Sequence, residues 1–248
     1  MDEWTKLKEY EERIRALPPG RPLTKTDLFT PDFLLSGQGD LEMYYAPHNE
    51  YVQTGARLLI VGITPGWTQM ELAFRQARDA LQAGMPLAEA ARSAKLAARF
   101  SGSMRSNLTG MLDQLGLKEA LGLSSCAELF EGPHEKLLHT TSLLRYPLFR
   151  RGSNYTGHTP RLDKSAYLMK LVRGAFPREL ALLGQPLLVI PLGQTVEAAL
   201  ALLEAEGSIP HQACLRGFPH PSGANGHRHK QLEEHLDSLR RQVSAALG

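Results

Sequence analysis

Leu58-Leu59-Ile60-Val61-Gly62-Ile63-Thr64-Pro65-Gly66-Trp67 is the stretch that decides the fold. Its first half is a continuous apolar run with β-branched residues, the pattern of a strand buried on both faces. Its second half is a Gly-Pro-Gly turn, which ends the strand and lets backbone approach a ligand closely. No Gly-Lys-Ser/Thr follows, so this is not a phosphate-binding P-loop, and no GxGxxG dinucleotide loop is present.

Working outward, further strands are expected over 137–144, at Leu187-Leu188-Val189-Ile190 before Pro191-Leu192-Gly193, and over 213–218. Helical spacing falls between them. Trp4, Leu7, Tyr10, Ile14 and Leu17 share one face of 3–17, which Pro18-Pro19-Gly20 ends. Residues 20–55 are mixed and turn-rich. The Ala/Arg-rich segment 69–100 breaks near Gly84-Met85-Pro86, and its basic residues read as solvated helix faces. Leu108, Met111, Leu112 and Leu115 mark a helix over 105–118, and further helices are expected over 163–176, 194–206 and 230–247. Strands alternating with helices predict an α/β fold, a three-layer α/β/α sandwich around a central, mainly parallel four-stranded sheet. The expected organisation is one domain over 1–248, with an N-terminal helical extension 1–50 and a helical insertion at about 68–105. No internal repeat or low-complexity linker is present.

The chain has 248 residues, 42% apolar and 22% charged, with a net charge of +2. No apolar run reaches transmembrane length and no signal-peptide pattern opens the chain, so the expected site is the cytoplasm, without a membrane partner. Cys126 and Cys214 are too few for a disulfide framework or a cysteine-only iron–sulfur cluster. Charge is unevenly distributed. Lys136–Leu162 has no acid but holds Lys136, Arg145, Arg150, Arg151 and Arg161. Gly207–Gln231 has no acid but holds Arg216, Arg228, Lys230, His211, His220, His227 and His229. Two acid-free basic stretches in a nearly neutral chain point to one cationic face.

In parallel sheets, ligands bind beyond the carboxyl ends of the strands. Loops 62–68, 145–160 and 219–228 all leave such ends. His220-Pro221-Ser222-Gly223 is the most telling, because a His held between Pro219 and Pro221 can donate to an oxygen that gains charge as a bond breaks. The Ser222 hydroxyl can hold a phosphate.

Taken in order, these segments resemble the uracil-DNA glycosylase superfamily over roughly residues 50–247. Its members carry a first motif G-x-(Asp/Asn/Glu)-Pro-(Tyr/Gly), a middle loop, a Leu-Gly strand end and a final His-Pro-Ser or Asn-Pro-Ser loop. This chain has Gly62-Ile63-Thr64-Pro65-Gly66, Thr140-Thr141-Ser142-Leu143-Leu144-Arg145-Tyr146-Pro147 with Thr159-Pro160 downstream, Leu192-Gly193, and His220-Pro221-Ser222-Gly223. The resemblance implies a monofunctional hydrolytic glycosylase that needs neither metal nor organic cofactor. It would act as a monomer on a nucleotide flipped out of duplex DNA. It implies that His220 steadies the departing base, that Gly62, Ile63, Pro65, Gly66 and Trp67 line the base and water site, and that Pro65, Pro221 and Ser222 pinch the backbone. Gly223, Asn225, His227, Arg228, Arg150, Arg151 and Asn154 are expected on the DNA, with Arg228 or His227 as wedge.

Three departures matter. Thr64 replaces the acidic or amide residue that handles water. A hydroxyl cannot act as a base near neutral pH, so Gln69 or Glu71 is the expected helper. Gly66 replaces a Tyr that blocks pyrimidine C5. Thr141 falls near the Asn that reads the uracil edge, and it cannot form the same amide pair. Tyr146 and Phe149 could stack on a base or pack in the core, and segment 68–105 could form a lid. These departures suggest a C5-substituted pyrimidine, such as the glucosylated 5-hydroxymethylcytosine of phage DNA, removed in anti-phage defence. The alternatives are uracil excision in repair, a catalytically degenerate DNA-binding protein, and a small-molecule α/β enzyme.

Overall fold

A computed structural model describes residues 6–100, 102–184 and 186–248. Trp4, placed in the expected first helix, lies outside them. In chain order the helices are α1 (Leu7–Arg15), α2 (Lys25–Leu28), α3 (Trp67–Gln82), α4 (Leu87–Ala98), α5 (Ser103–Asp113), α6 (Leu117–Leu121), α7 (Ala166–Leu183), α8 (Gln194–Ala205) and α9 (Arg228–Leu247). The strands are β1 (Leu34–Gln38), β2 (Leu41–Tyr44), β3 (Leu58–Gly62), β4 (Leu138–Ser142), β5 (Leu148–Arg150), β6 (Ser153–Asn154), β7 (Leu188–Pro191) and β8 (Ala213–Cys214). Among the described residues no helix is long and apolar enough to cross a membrane.

The chain forms two compact units. The parallel-sheet unit comprises Gln53–Ile63, Gly102–Leu143 and Gly157–Gly248. Its four-stranded sheet has the order β4-β3-β7-β8, and every neighbouring pair is parallel. Leu58–Val61, Leu138–Ser142 and Leu188–Pro191 are buried along their whole length; the first and third read as unbroken apolar runs, while the second carries His139, whose Nε2 meets Glu179 Oε1 at 2.8 Å. Each fully buried Leu, Ile or Val contributes about 2 kcal/mol of transfer free energy. The crossovers β4 to β7 through α7 and β7 to β8 through α8 run in one direction, while β3 to β4 runs in the other. Right-handed connections therefore put α7 and α8 on one face and α5 and α6 on the opposite face, where α9 packs on α6. Phe176, Leu180, Val189 and Leu200 meet between α7, β7 and α8. The α/β sandwich with a parallel four-stranded sheet is thus present in this unit. α7 runs past the expected end at 176 and through Pro177, because Glu179, Leu180 and Leu183 beyond it are buried and hold the helix on the sheet.

The hairpin unit comprises the described residues of Met1–Val52, Thr64–Ser101 and Leu144–Thr156. It gathers the expected extension and the expected insertion. Two expectations are corrected here. The extension is not wholly helical, because β1 and β2 form a hairpin within it, and the Arg-rich loop contains β5 and β6. All four strands join an antiparallel sheet ordered β1-β2-β5-β6. A strand pair this short shows little periodicity, and only pairing with a distant segment reveals it. Arg151 and Gly152 form the β5–β6 turn with φ of 48° and 71°, and Arg is an unusual residue for that left-handed position.

The core of this unit is aromatic and polar together. Tyr10 stacks on Tyr45 at 3.7 Å between ring centroids, and Phe74 packs against Phe33 and Tyr45. Pro47–Glu50 is a buried 3-10 turn beside α3 and α4. Glu50, with a side chain fully out of solvent, accepts from the Lys6 N–H at 2.7 Å, Arg145 Nη2 at 3.0 Å and the Tyr146 hydroxyl at 2.7 Å. Lys95 Nζ donates to Asn49 Oδ1 at 2.6 Å, and Asn49 Nδ2 donates to the Arg145 carbonyl. Replacing Glu50 by Leu strips these buried donors of a shared charged acceptor. We expect a loss of about 3 kcal/mol in unfolding free energy by urea titration, and wild-type stability would show that the carboxylate does not hold this core.

Candidate active site

At the carboxyl edge of the parallel sheet three strand ends stand in register. Gly62 is opposite Ser142 and Val61 is opposite both Thr141 and Pro191. The ladder continues one residue further, with Leu143 N–H to Gly62 O and Leu192 N–H to Val61 O, each 2.9 Å. A Cβ at Gly62 would stand 3.4 Å from Ser142 Oγ, so backbone rather than side chain fills this point. Thr141 is 5% exposed, and its Oγ1 has no hydrogen-bond partner among the described residues. Gly157 sits against the same edge with φ of 88°, and a Cβ there would fall 2.8 Å from Ile63 Cδ1 and 3.1 Å from Thr195 Cγ2.

His220 lies beside the end of β7. Gly193, with φ of 88°, donates to the Phe218 carbonyl at 3.2 Å, and a Cβ on it would come within 3.3 Å of His220 Cβ. The His220 ring is mostly enclosed. Its Nδ1 accepts the Ser222 N–H at 3.2 Å, which assigns the ring proton to Nε2. Burial disfavours the charged imidazole and lowers its pKa from the ordinary value of 6.5. The outcome is a neutral ring with one N–H donor free of the loop.

The loop braces itself. Ser222 Oγ accepts the Ala224 N–H at 3.2 Å. Asn225 Nδ2 donates to the His220 carbonyl at 3.1 Å and to Gln231 Oε1 at 2.9 Å, so this residue, expected on DNA, holds the loop to α9. Arg228 Nη1 donates to the Asn225 carbonyl at 3.2 Å, and its Nε is buried without a partner among the described residues. Gly223 and His227 are exposed. Asn107 of α5 reaches in from elsewhere and donates from Nδ2 to the Pro221 carbonyl at 2.9 Å. No motif marks Asn107 or Gly157 in the sequence, and an Asn within a helix and a lone Gly after a basic loop were the available signals. Among the described residues no group of three or more His, Cys, Asp or Glu could hold a metal.

The remaining expected residues belong to the hairpin unit. Thr64 Oγ1 donates to the Tyr146 carbonyl at 3.0 Å and accepts the Leu148 N–H at 2.9 Å, which leaves one lone pair. Gln69 Oε1 accepts the Gly66 N–H at 3.1 Å, as a cap on α3. Glu71 is buried, pairs with Arg75 at 2.9 Å and accepts the Leu23 N–H. Gln69 and Glu71, expected to help activate water, have carboxamide and carboxylate oxygens already engaged in local structure. Tyr146, expected to stack on a base, is only 8% exposed. Its hydroxyl pKa is raised, first by burial and then by the charge of Glu50, so it stays a neutral donor. Phe149 likewise packs on Phe29 in the core. Pro65 is buried. Asn154 Oδ1 accepts the Trp67 N–H at 2.9 Å, and a Cβ at Gly66 would stand 3.1 Å from Asn154 Nδ2. Trp67 meets Phe29 edge-on at 5.5 Å. Arg150 and Arg151 both lean on Asp40 through Nε, at 2.8 and 3.1 Å, and Arg151 is largely exposed.

This arrangement is the carboxyl edge of a parallel α/β sheet with a neutral histidine donor beside it. The uncharacterized protein YoxB of Bacillus subtilis (strain 168) is 46% identical over 237 residues, covering 96% of this chain and 91% of that protein. The chain belongs to the YoxB family. No family model matches it. The crystal structure of wild-type Pedobacter heparinus SMUG2 aligns over 95% of this chain and 97% of its own at 15% identity, with a TM-score of 0.47.

Two outcomes follow from this geometry. Gly157→Ala should cost about 2 kcal/mol, because it adds left-handed strain and a clash with Ile63, and an unchanged melting temperature would contradict that packing. The second concerns pH. Burial lowers the pKa of His220 and, more strongly, of His48. The unfolded chain therefore takes up these protons first. The associated stability is complete above the ordinary value of 6.5 and is lost as pH falls below it towards the folded-state values. Urea unfolding at pH 7.5 and 5.0 should show this loss, and His220→Gln should lessen it. An equal loss in the variant would mean that His220 is not titrating as described.

Proposed function

We propose that the chain is a DNA glycosylase that hydrolyses the bond between a modified pyrimidine and its sugar. The observation that carries this is the hydrogen bond from the Ser222 N–H to His220 Nδ1, from which the Nε2–H tautomer is inferred. An imidazole that is neutral, enclosed and capped at Nδ1 offers an Nε2–H donor that needs no reorganisation as charge develops. In the reaction a water oxygen bonds to C1′, the C1′–N bond breaks, and its electron pair leaves with the base. The water proton ends on the base or in solvent. His220 donates a hydrogen bond to the base as negative charge builds on it. The motif order supports the same reading, as do the acid-free stretches that hold Arg150, Arg151 and Arg228 as phosphate contacts. Ser222 and Pro221 are assigned to the DNA backbone, and Thr141, with its unpartnered hydroxyl, to the base edge.

The base we favour carries a polar C5 substituent, as in glucosylated 5-hydroxymethylcytosine, with a role in defence against phage. Its support is the pair Gly66 and Asn154. No side chain projects from 66, and Asn154, fixed through Oδ1, turns an amide Nδ2 towards that point. An amide suits a hydroxylated substituent better than an aromatic wall does.

Purified protein incubated with DNA carrying that base, and separately with uracil DNA, should leave alkali-labile abasic sites in the first. His220→Ala should lower the single-turnover rate roughly a hundredfold while DNA affinity stays nearly unchanged. Cleavage of uracil DNA alone would assign the protein to repair. Binding without abasic sites in either DNA would sink the enzyme reading.

A further inference from the structure

One peptide group links α5 to the ring of His220. The carbonyl of Pro221 and the N–H of Ser222 belong to the same planar unit, with oxygen and hydrogen on opposite sides. Its oxygen accepts Asn107 Nδ2 at 2.9 Å, and its N–H is donated to His220 Nδ1 at 3.2 Å. The carbonyls on either side are taken within the loop. That of His220 accepts Asn225 Nδ2 and that of Ser222 accepts the Asn225 N–H. The Pro221 carbonyl is therefore the one that a separate element holds. α5 is itself fixed, because Leu108, Met111 and Leu112 lie almost wholly in the core. Pro221 has a restricted φ and no N–H of its own, so rotation of this peptide is limited chiefly by its two hydrogen bonds.

We propose that Asn107 is a positioning residue which, by holding the Pro221 carbonyl, aims the Ser222 N–H at His220 Nδ1 and so fixes the tautomer that presents Nε2–H. This rests on the glycosylase reading only in naming what Nε2–H faces. A hydrogen bond at the carbonyl also polarises the N–H of the same peptide and strengthens its donation. Without Asn107 the peptide can turn, Nδ1 loses its donor, and the proton can occupy either ring nitrogen.

The test uses the full chain with 15N-labelled histidine and reads the two ring-nitrogen shifts of His220, assigned with His220→Gln. The wild type should show one tautomer with the proton on Nε2. Asn107→Leu, which keeps the volume and removes the donor, should give a mixture of tautomers. Asn107→Gln, which keeps an amide donor on a longer arm, should restore part of the preference. On whichever DNA the wild type cleaves, Asn107→Leu should lower kcat about tenfold or more with KM unchanged. An unchanged tautomer in Asn107→Leu, or a higher KM at constant kcat, would overturn the proposal. If Asn107→Leu does not fold, Asn107→Ala is read by the same shifts. If the wild type cleaves no DNA, the glycosylase reading fails, while the tautomer measurement still decides the role of Asn107.

Discussion

The parallel pairing of β3 with β4 on one side and β7 on the other is the constraint from which the candidate site's edge follows. Parallel strands end at one edge, and the two ladders set Val61, Thr141 and Pro191 level there. Burial on both faces makes this register costly to shift, because a slip of one residue exchanges the two faces of a strand. The loops are consequently not free to wander. Gly157 lies against Ile63 at a distance that leaves no room for a methyl group, and Gly193 lies against His220 closely enough that a methyl group would push on it.

On that frame the His220 loop is stiffened by polar bonds. Asn225, Asn107 and Ser222 each give a hydrogen bond to the short segment 220–224 or accept one from it, and the imidazole is left with a defined proton. Enclosure without a neighbouring carboxylate keeps the ring neutral. A buried carboxylate beside it would have favoured imidazolium and a different chemistry. Thr141, opposite Val61 at the same edge, has a hydroxyl with no hydrogen-bond partner among the described residues, an uncommon condition for a buried group and one that a ligand can relieve.

The hairpin unit solves a separate problem. Its sheet is small and its helices Ala-rich, so aromatic stacking and the Glu50 network supply much of what holds it. Several residues with chemically suggestive side chains are absorbed by that task. Gln69 and Glu71, expected as helpers in activating water, have their oxygens bonded within the unit, and Tyr146, expected to stack on a base, is buried with its hydroxyl on Glu50. A reactive residue type is only a candidate until its hydrogen bonds are accounted for.

By itself the sequence determined the parallel sheet and its helices; the strand expected over 213–218 before the His-Pro-Ser loop stops at Cys214, and turn and coil lead on to His220. Those readings rest on local information: β3 and β7, buried on both faces, are continuously apolar, and Gly-Pro-Gly and Pro-His-Pro favour turns. Strands at 58–62 and 138–142 fall inside the expected ranges, and the strand expected at 187–190 is shifted one residue on, to 188–191. Only the tertiary structure decided the hairpin sheet, because β2 meets β5 across some hundred residues and neither strand is long enough to show a period. It also decided which polar side chains are spoken for. Thr64, Asn107 and Glu50 have no local pattern that distinguishes a structural bond from a free one, since their partners at Leu148, Pro221 and Tyr146 are set by folding alone.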